Sequence, residues 1–290
     1  MVSTIPKKRR TDHRRTFLPK SPTGIQGLDE LTGGGLPKGR LTLVCGGAGC
    51  GKTLFGMEFL VRGATVYNEP GVFISFEETE KELAANVGSM GYDVKSLVRH
   101  RKLWVQHIHV GRIDCSNGNK YDLAELFVKI HFAIESIGAK RVVLDSLETL
   151  FAELPNPLTL RAELGRLFNW LKRRSVTSIV TAERGEGALT RGGVEEYISD
   201  CVILLDHHVN DQSSTRRLRI VKYRGSTHGT NEYPFRIDDN GFSVLPDSSF
   251  GLNYFSFFER IATEIPRLNK FISEILNDPG IHSRSNSKPM

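Results

Sequence analysis

Apolar residues in this chain fall into two kinds of run. Short blocks rich in β-branched residues, LTLVC (41–45), VFISF (72–76), LWVQHI (103–108), RVVLD (141–145) and VTSIVTAE (176–183), are almost continuously hydrophobic. Strands of that kind suit a parallel sheet covered on both faces. Between them, Leu123, Leu126, Phe127, Ile130, Ile134 and Ile137 recur at steps of three and four, and so do Leu160, Leu164, Leu167 and Leu171. Each set marks one face of an amphipathic helix, and core packing is the role this pattern assigns to all of them. After residue 200 the helical spacing stops. CVILLD, RRLRIVKY, YPFRI and GFSVL follow one another across turns such as Asn240-Gly241, which predicts an antiparallel extension. The expected fold class is therefore α/β, a mostly parallel sheet flanked by helices with an antiparallel C-terminal extension.

Both ends depart from this pattern. Residues 1–17 read as a flexible basic arm, 18–246 as one compact domain and 247–290 as a helical tail ending in the polar stretch HSRSNSKPM. In the tail Tyr254, Phe258, Ile261, Ile265, Leu268, Ile272 and Ile275 follow a heptad-like spacing that Pro266 interrupts, so two shorter helices are expected. Packing on the body and a partner surface are the two roles open to that face. Residues 263–271 also echo residues 23–31 at an offset of 240, as the remnant of a second repeat does.

Charge first suggests a nucleic-acid binder, because the formal net charge is +6 and the pI about 9.1. Its location argues otherwise. Seven of the 39 Lys and Arg, but only Asp12 of the 33 acidic residues, fall in the first 20 positions, which leaves the other 270 with 32 of each sign. A basic arm on a neutral body places no fixed positive surface beside a ligand. No run approaches the ~18 apolar residues of a membrane span. The polar, Arg-rich start lacks the apolar core of a secretory signal, which makes the cytoplasm the expected compartment, although such a start is also the composition of a transit peptide. Cys45, Cys50, Cys115 and Cys201 form no Cys-x-x-Cys or Cys/His ligand spacing, so neither a disulfide framework nor a zinc site is indicated.

The strongest chemical signal is Gly46-Gly47-Ala48-Gly49-Cys50-Gly51-Lys52-Thr53, a match to G-x-x-x-x-G-K-[ST] between an apolar strand and the helical pattern that opens at Leu54. In such a loop successive backbone N–H groups and the positive end of the following helix hold the phosphates of a nucleotide. Gly47, Ala48, Gly49, Cys50, Gly51, Lys52, Thr53 and Leu54 are the candidate nucleotide contacts, with Lys52 reaching the β- and γ-phosphates and Thr53 binding Mg²⁺. The Cys50 thiol is a candidate for oxidation or alkylation against which nucleotide protects. Asp145, at the end of RVVLD, has the placement of a Walker B carboxylate beside Mg²⁺; the competing role is a helix N-cap. Glu77 and Glu78 follow VFISF at another strand end, where a carboxylate can orient water or accept its proton. The competing role is a solvated helix start, since Thr79 and Glu82 have capping-box spacing, but that box leaves Glu77 and Glu78 unexplained.

Together these residues resemble the KaiC family of RecA-like P-loop ATPases. The likeness spans residues 18–246 and rests on TGIQGLDELTGGGLPKGRLTLV, the P-loop, FEETEKEL, LDSLETL, TAERGEG, GGVEEYISDCVILL and VKYRGSTHGTNEYPF in that order. The resemblance implies a RecA-like fold and a homohexameric ring with ATP between subunits. It implies that Lys222 and Arg224 reach the γ-phosphate held by the next subunit. It also implies that Tyr223, Ser226, His228, Asp238 and Asp239 hold that nucleotide from the far side, with Ser89 on the near side. It further implies a KaiB-like regulatory partner and a conformational switch driven by slow hydrolysis.

The stretch TRGGVEEYISD resembles the first of the family's two repeats. A serine/threonine autokinase of the kind the second repeat forms is an alternative activity, which the lack of that repeat's adjacent Ser-Thr acceptor pair, with only Thr190 in its place, disfavours. A RecA- or RadA-like DNA-dependent ATPase is another, using the segment 184–197 on DNA. That segment holds Glu186, Glu195 and Glu196 and offers only Tyr197 for base stacking, which disfavours nucleic acid. A third possibility is a ring scaffold that binds ATP with little turnover.

Overall fold

The computed structural model describes residues 17–109, 124–151, 157–185, 189–190, 198–210 and 213–245. The basic arm through residue 16, Leu123, most of the segment 186–197 and the expected helical tail lie outside the described residues. The chain divides into two units, Met1–Asp247 and Ser248–Met290, and the elements below all belong to the first.

The N-terminal part contributes β1 (Lys20–Ser21), α1 (Leu28–Leu31), β2 (Leu36–Pro37), β3 (Leu41–Gly46), α2 (Lys52–Val66), β4 (Gly71–Ser75), α3 (Glu80–Gly88), α4 (Val94–Arg99) and β5 (Leu103–His107). There follow α5 (Ala124–Ile137), β6 (Arg141–Asp145), α6 (Leu147–Phe151), α7 (Pro157–Arg173), β7 (Thr177–Glu183), β8 (Cys201–Asn210), β9 (Ser213–Tyr223), β10 (Glu232–Asp238) and β11 (Gly241–Val244). Nine of these strands form one sheet in the order β11-β10-β9-β8-β3-β7-β6-β4-β5, and β1 pairs with β2 alone.

From β8 to β5 neighbouring strands run parallel, and β9, β10 and β11 continue the sheet antiparallel. One expectation is corrected here. CVILLD, which opens β8, was assigned by its position after residue 200 to the antiparallel extension, yet it lies parallel to β3, with Thr42 opposite Cys201 and Gly46 opposite Leu205. Every residue from Cys201 to Leu205 is buried, as a strand inside a covered sheet requires. Only its far partner, β9, begins the antiparallel part.

The parallel strands all present their C-terminal ends at one edge. Register sets Gly46 opposite both Glu183 and Leu205, and Ser75 opposite Asp145. In open α/β sheets that edge is where ligands bind. Helix α2 packs one buried face, including Phe55 and Phe59, against one side of the sheet, while Ile130, Ile134, Leu164, Leu167 and Leu171 of α5 and α7 cover the other. No described helix is long and apolar enough to cross a membrane.

One buried charge ties these layers together. Arg141, the first residue of β6, is fully buried. It donates to Glu69 Oε2 at 2.7 Å, to Phe59 O at 2.9 Å and to Pro22 O at 2.8 Å, and its guanidinium lies 4.4 Å from the centre of the Phe59 ring. A Cβ on Gly63 would stand 2.5 Å from Arg141 Cδ, so α2 carries glycine where the arginine passes. Removing one member of such a buried network strands the others, at a cost of about 3–5 kcal/mol. Arg141→Ala is accordingly expected to lower unfolding free energy by about that much in urea denaturation; a loss below about 1 kcal/mol would show that Glu69 and the two carbonyls find other partners.

Candidate nucleotide site

The loop after β3 turns sharply because three of its positions demand glycine. A Cβ on Gly46 would collide with the carbonyl of Leu205, and Gly49 and Gly51 adopt φ of 72° and 99°. Gly51 is the N-cap of α2, which has no side-chain cap and no acidic residue in its first turn. Its positive end is thus open to an anion. Gly47, Ala48 and Gly49 are exposed, and Lys52 reaches back over the loop to donate to the carbonyls of Gly46 and Gly47, both at 2.9 Å. Beside them lies a cleft of about 320 Å³, lined by Lys52, Thr53, Leu54, Glu78, Asn86 and Met90 among others.

Cys50 faces the other way. Its side chain is 1% exposed and packs in the core, where burial pushes the thiol pKa up. The expectation of a thiol reporting on nucleotide is corrected accordingly: a buried, protonated thiol is a poor nucleophile.

At the same edge, Asp145 ends β6 beside the start of α2. Thr53 Oγ1 donates to Asp145 Oδ2 at 2.8 Å and Thr181 Oγ1 donates to Oδ1, so both carboxylate oxygens are held. Burial raises the Asp145 pKa, and the two hydroxyls pull against that shift. The peptide from Asp145 to Ser146 is cis. The two acidic residues after β4 diverge. Glu77 Oε1 accepts from Ser146 Oγ at 2.5 Å and Thr149 Oγ1 at 2.7 Å, and Ser146 holds its pKa below the ordinary carboxylate range. Glu78 lines the cleft and accepts from Asn86 Nδ2 at 3.4 Å. The capping box at Thr79 and Glu82 forms without involving either. Thr181, Ser146, Thr149 and Asn86 were not identified from sequence. Only the hydroxyl inside the apolar run VTSIVTAE could have drawn attention to Thr181, and hydroxyls are common in strands.

Asp145 and Thr53 supply oxygen donors at one point, the chemistry that suits Mg²⁺ shared with phosphate oxygens. Among the described residues no group of three or more His, Cys, Asp or Glu could hold a metal ion by itself.

The remaining candidates divide between two places. Tyr223 pairs with Cys201 and Lys222 with Val202, and Arg224 N donates to Asp200 O at 2.8 Å while Asp200 N donates to Leu41 O at 3.1 Å. Arg224 therefore sits level with Leu41 at the N-terminal end of β3, and Lys222 level with Leu43. Gly46 lies five residues beyond Leu41, about 17 Å along the strand. Ser226 and His228 follow in the same loop, where His228 stacks against the Tyr223 ring with centroids 6.5 Å apart. Tyr223 itself is buried and donates its hydroxyl to Gly35 O at 2.8 Å, so its side chain is engaged inside the domain.

Asp238 and Asp239 are corrected in position. Far from sharing a face with Arg224, they stand on the P-loop side of their own chain, because β10 runs antiparallel to β9 and ends at the opposite edge. Ile237 Cδ1 lies 2.6 Å from where a Cβ on Gly51 would be, and Asp239 O lies 3.7 Å from the same point on Gly91. Ser89, the C-cap of α3, donates to Asn86 O at 2.7 Å and stands near the cleft that Asn86 and Met90 line.

A phosphate loop, a Walker B aspartate and a second cationic loop at the opposite edge narrow the choice among P-loop folds, and comparison with known families decides it. The model of the family described as "ATPase: KaiC" matches residues 21–249. The chain belongs to the KaiC family. Its sheet is accordingly the RecA-like P-loop fold of an ATPase domain. Among KaiC relatives, the circadian clock protein KaiC2 of Synechocystis sp. is 54% identical over 260 residues, covering 89% of this chain and 46% of its own. The circadian clock oscillator proteins KaiC of Parathermosynechococcus lividus and Synechococcus elongatus are each 37% identical over 255 residues, covering 87% of this chain and 47% and 49% of theirs. The chain thus spans about half the length of the curated relatives it matches.

The hydroxyls around Glu77 give the site a measurable pH signature. A carboxylate whose folded pKa is depressed adds stability above its unfolded value of 4.5, and that stability is lost as pH falls through the lower folded value. Ser146→Ala is expected to raise the Glu77 pKa toward 4.5 in a carboxyl NMR titration of the nucleotide-free protein, and to flatten the loss of stability on acidification. An unmoved titration would mean that Thr149 alone holds the charge.

Proposed function

We propose that this chain is a Mg²⁺-dependent ATPase whose active site is completed by a second copy of itself in a homohexameric ring. One observation carries the reading: the phosphate loop and Arg224 occupy opposite edges of one sheet, about 17 Å apart along β3, farther than an arginine side chain extends. Within one chain they cannot meet on one nucleotide. Head-to-tail packing around a closed ring brings the lower edge of one copy to the upper edge of the next, and such heterologous contacts close naturally into cyclic assemblies.

In this reading Gly47 to Leu54 bind the phosphates of ATP, with Lys52 leaving the loop carbonyls for phosphate oxygens. Thr53 and Asp145 hold the Mg²⁺, which would neutralise charge on the β- and γ-phosphate oxygens. Glu78, lining the cleft, orients the attacking water and accepts its proton; Glu77, kept ionised by Ser146 and Thr149, adds the negative field that favours that transfer. Asp238, Asp239 and Ser89 hold the base and sugar end from the same subunit. Lys222 and Arg224, with Ser226 and His228 beside them, arrive from the neighbour and stabilise charge on the transferred phosphoryl group. The relatives are named as circadian clock proteins; by extension, hydrolysis here drives a conformational switch in a clock or signalling assembly, in the cytoplasm and with a KaiB-like regulatory protein. Thr190, the sole stand-in for a phosphoacceptor, is fully buried, which favours hydrolysis over autokinase chemistry.

The test is complementation. Arg224→Ala is expected to bind ATP with little change but to hydrolyse it about 10³-fold or more slowly, as the loss of an arginine finger does. Lys52→Ala is silent for the opposite reason. Mixed in one ring, the two regain activity at interfaces where an intact P-loop meets an intact Arg224. An unchanged kcat for Arg224→Ala, or a native mass of one chain in saturating Mg·ATP, would remove the intersubunit site. Removing residues 2–17 is expected to leave the hydrolysis rate as it is, since the arm's charge belongs to no part of the site; a fall in rate would show that the arm takes part.

A further inference from the structure

The loop that carries Arg224 is gripped by a side chain from outside it. Lys20, in β1, donates from Nζ to Ser226 Oγ at 2.7 Å and to the carbonyl of Thr32, and its ammonium lies 4.9 Å from the centre of the Tyr223 ring. Tyr223 is anchored in turn through its hydroxyl to Gly35 O, and Arg224 through its backbone N–H to Asp200 O. Lys20 therefore touches the loop on both sides of Arg224, at 223 and at 226. Gly33, at φ 64°, lies in the turn that brings the Thr32 carbonyl to the ammonium, and a Cβ there would stand 3.2 Å from Nζ. A half-buried ammonium is compensated only while its oxygens and its ring stay in place, so the contacts hold one another.

We propose that Lys20 is a positioning residue for the trans-acting pair, fixing the Ser226 side of the loop against Thr32 so that Arg224 leaves its own subunit in one direction. The proposal rests on the split-site reading above. Its role is exerted through the contacts it makes within its own chain.

Lys20→Met in the full chain is expected to leave KM for ATP unchanged, because the P-loop lies at the other edge. Its kcat falls by about tenfold to a hundredfold, the scale of a misplacement of about 1 Å. Lys20→Arg restores most of the rate, since a guanidinium can still donate to both oxygens and lie on the ring. Without nucleotide, amide hydrogen exchange across residues 224–227 becomes faster in Lys20→Met. Lys20→Gln, which keeps a donor but no charge, takes its place if the methionine variant does not fold.

Mixed rings separate this idea from the reading beneath it. Lys20→Met regains activity with Lys52→Ala, whose loop is intact, and gains none with Arg224→Ala. Wild-type kcat with unchanged exchange, or recovery with Arg224→Ala, overturns the role of Lys20 while the split site stands. Failure of Lys52→Ala to complement Arg224→Ala overturns the split site, and this proposal with it.

Discussion

The direction of β3 is the constraint from which the rest of this domain follows. Hydrogen-bonded in parallel to β7 on one side and β8 on the other and buried along its whole length, it cannot slip by a residue without sending every side chain to the opposite packed face. Its C-terminal end becomes the phosphate loop, and its N-terminal end, through Leu41 and Asp200, supports Arg224. A strand has two ends and a fixed rise, so one register both aligns the Walker residues and keeps the second cationic loop away from them. The proposed ring is the consequence of that separation.

Polar groups are buried where the elements around β3 must be held at a definite angle. Asp145 takes one hydroxyl from α2 and one from β7, and Arg141 joins β6 to α2 and to Pro22. Glu58, fully buried in α2, accepts from Phe242 N at 2.6 Å and pairs with Arg62, which itself donates to Asn240 O at 3.2 Å. Desolvation pushes the Glu58 pKa up, and the surrounding donors offset only part of it. Such networks are strong when fully satisfied and costly when not, which makes them angle-setting devices more than sources of stability.

What the sequence made legible was local. A glycine-rich loop between an apolar strand and a helix can be read without its neighbours, and so can five strands whose apolar runs match β3 to β7. Other features depended on pairing between distant segments. CVILLD reads the same whether it joins β3 or begins a hairpin, and only its register with Thr42 to Gly46 shows it to be both. Thr181 holds Asp145 from 36 residues away, and nothing in an alternating strand marks that hydroxyl as different. The family likeness supplied positions without orientations, and the structure shows that the Tyr223 and Cys50 side chains point inward and that β10 carries Asp238 to the edge where the P-loop lies. In each case the residue's place in the chain was informative and its direction was a property of packing.

That direction matters most along α2. Its first turn frames the phosphate loop, Glu58 and Arg62 fasten the turn that carries Asp238 and Asp239, and Phe59 O receives Arg141, which also holds Pro22. Two residues before Pro22 stands Lys20, in contact with Ser226 in the loop of Arg224. Polar contacts of α2, some buried and some at the surface, thus reach toward both edges of the sheet, and the backbone from Pro22 to Lys20 completes the link to Ser226. A helix is stiff along its axis, whereas Lys20 to Pro22 is a short extended segment held by a few hydrogen bonds. In the proposed ring, Lys20 to Pro22 is therefore a second link between the two edges beside β3, whose start reaches Arg224 through Leu41 and Asp200, and it is the more easily deformed of the two.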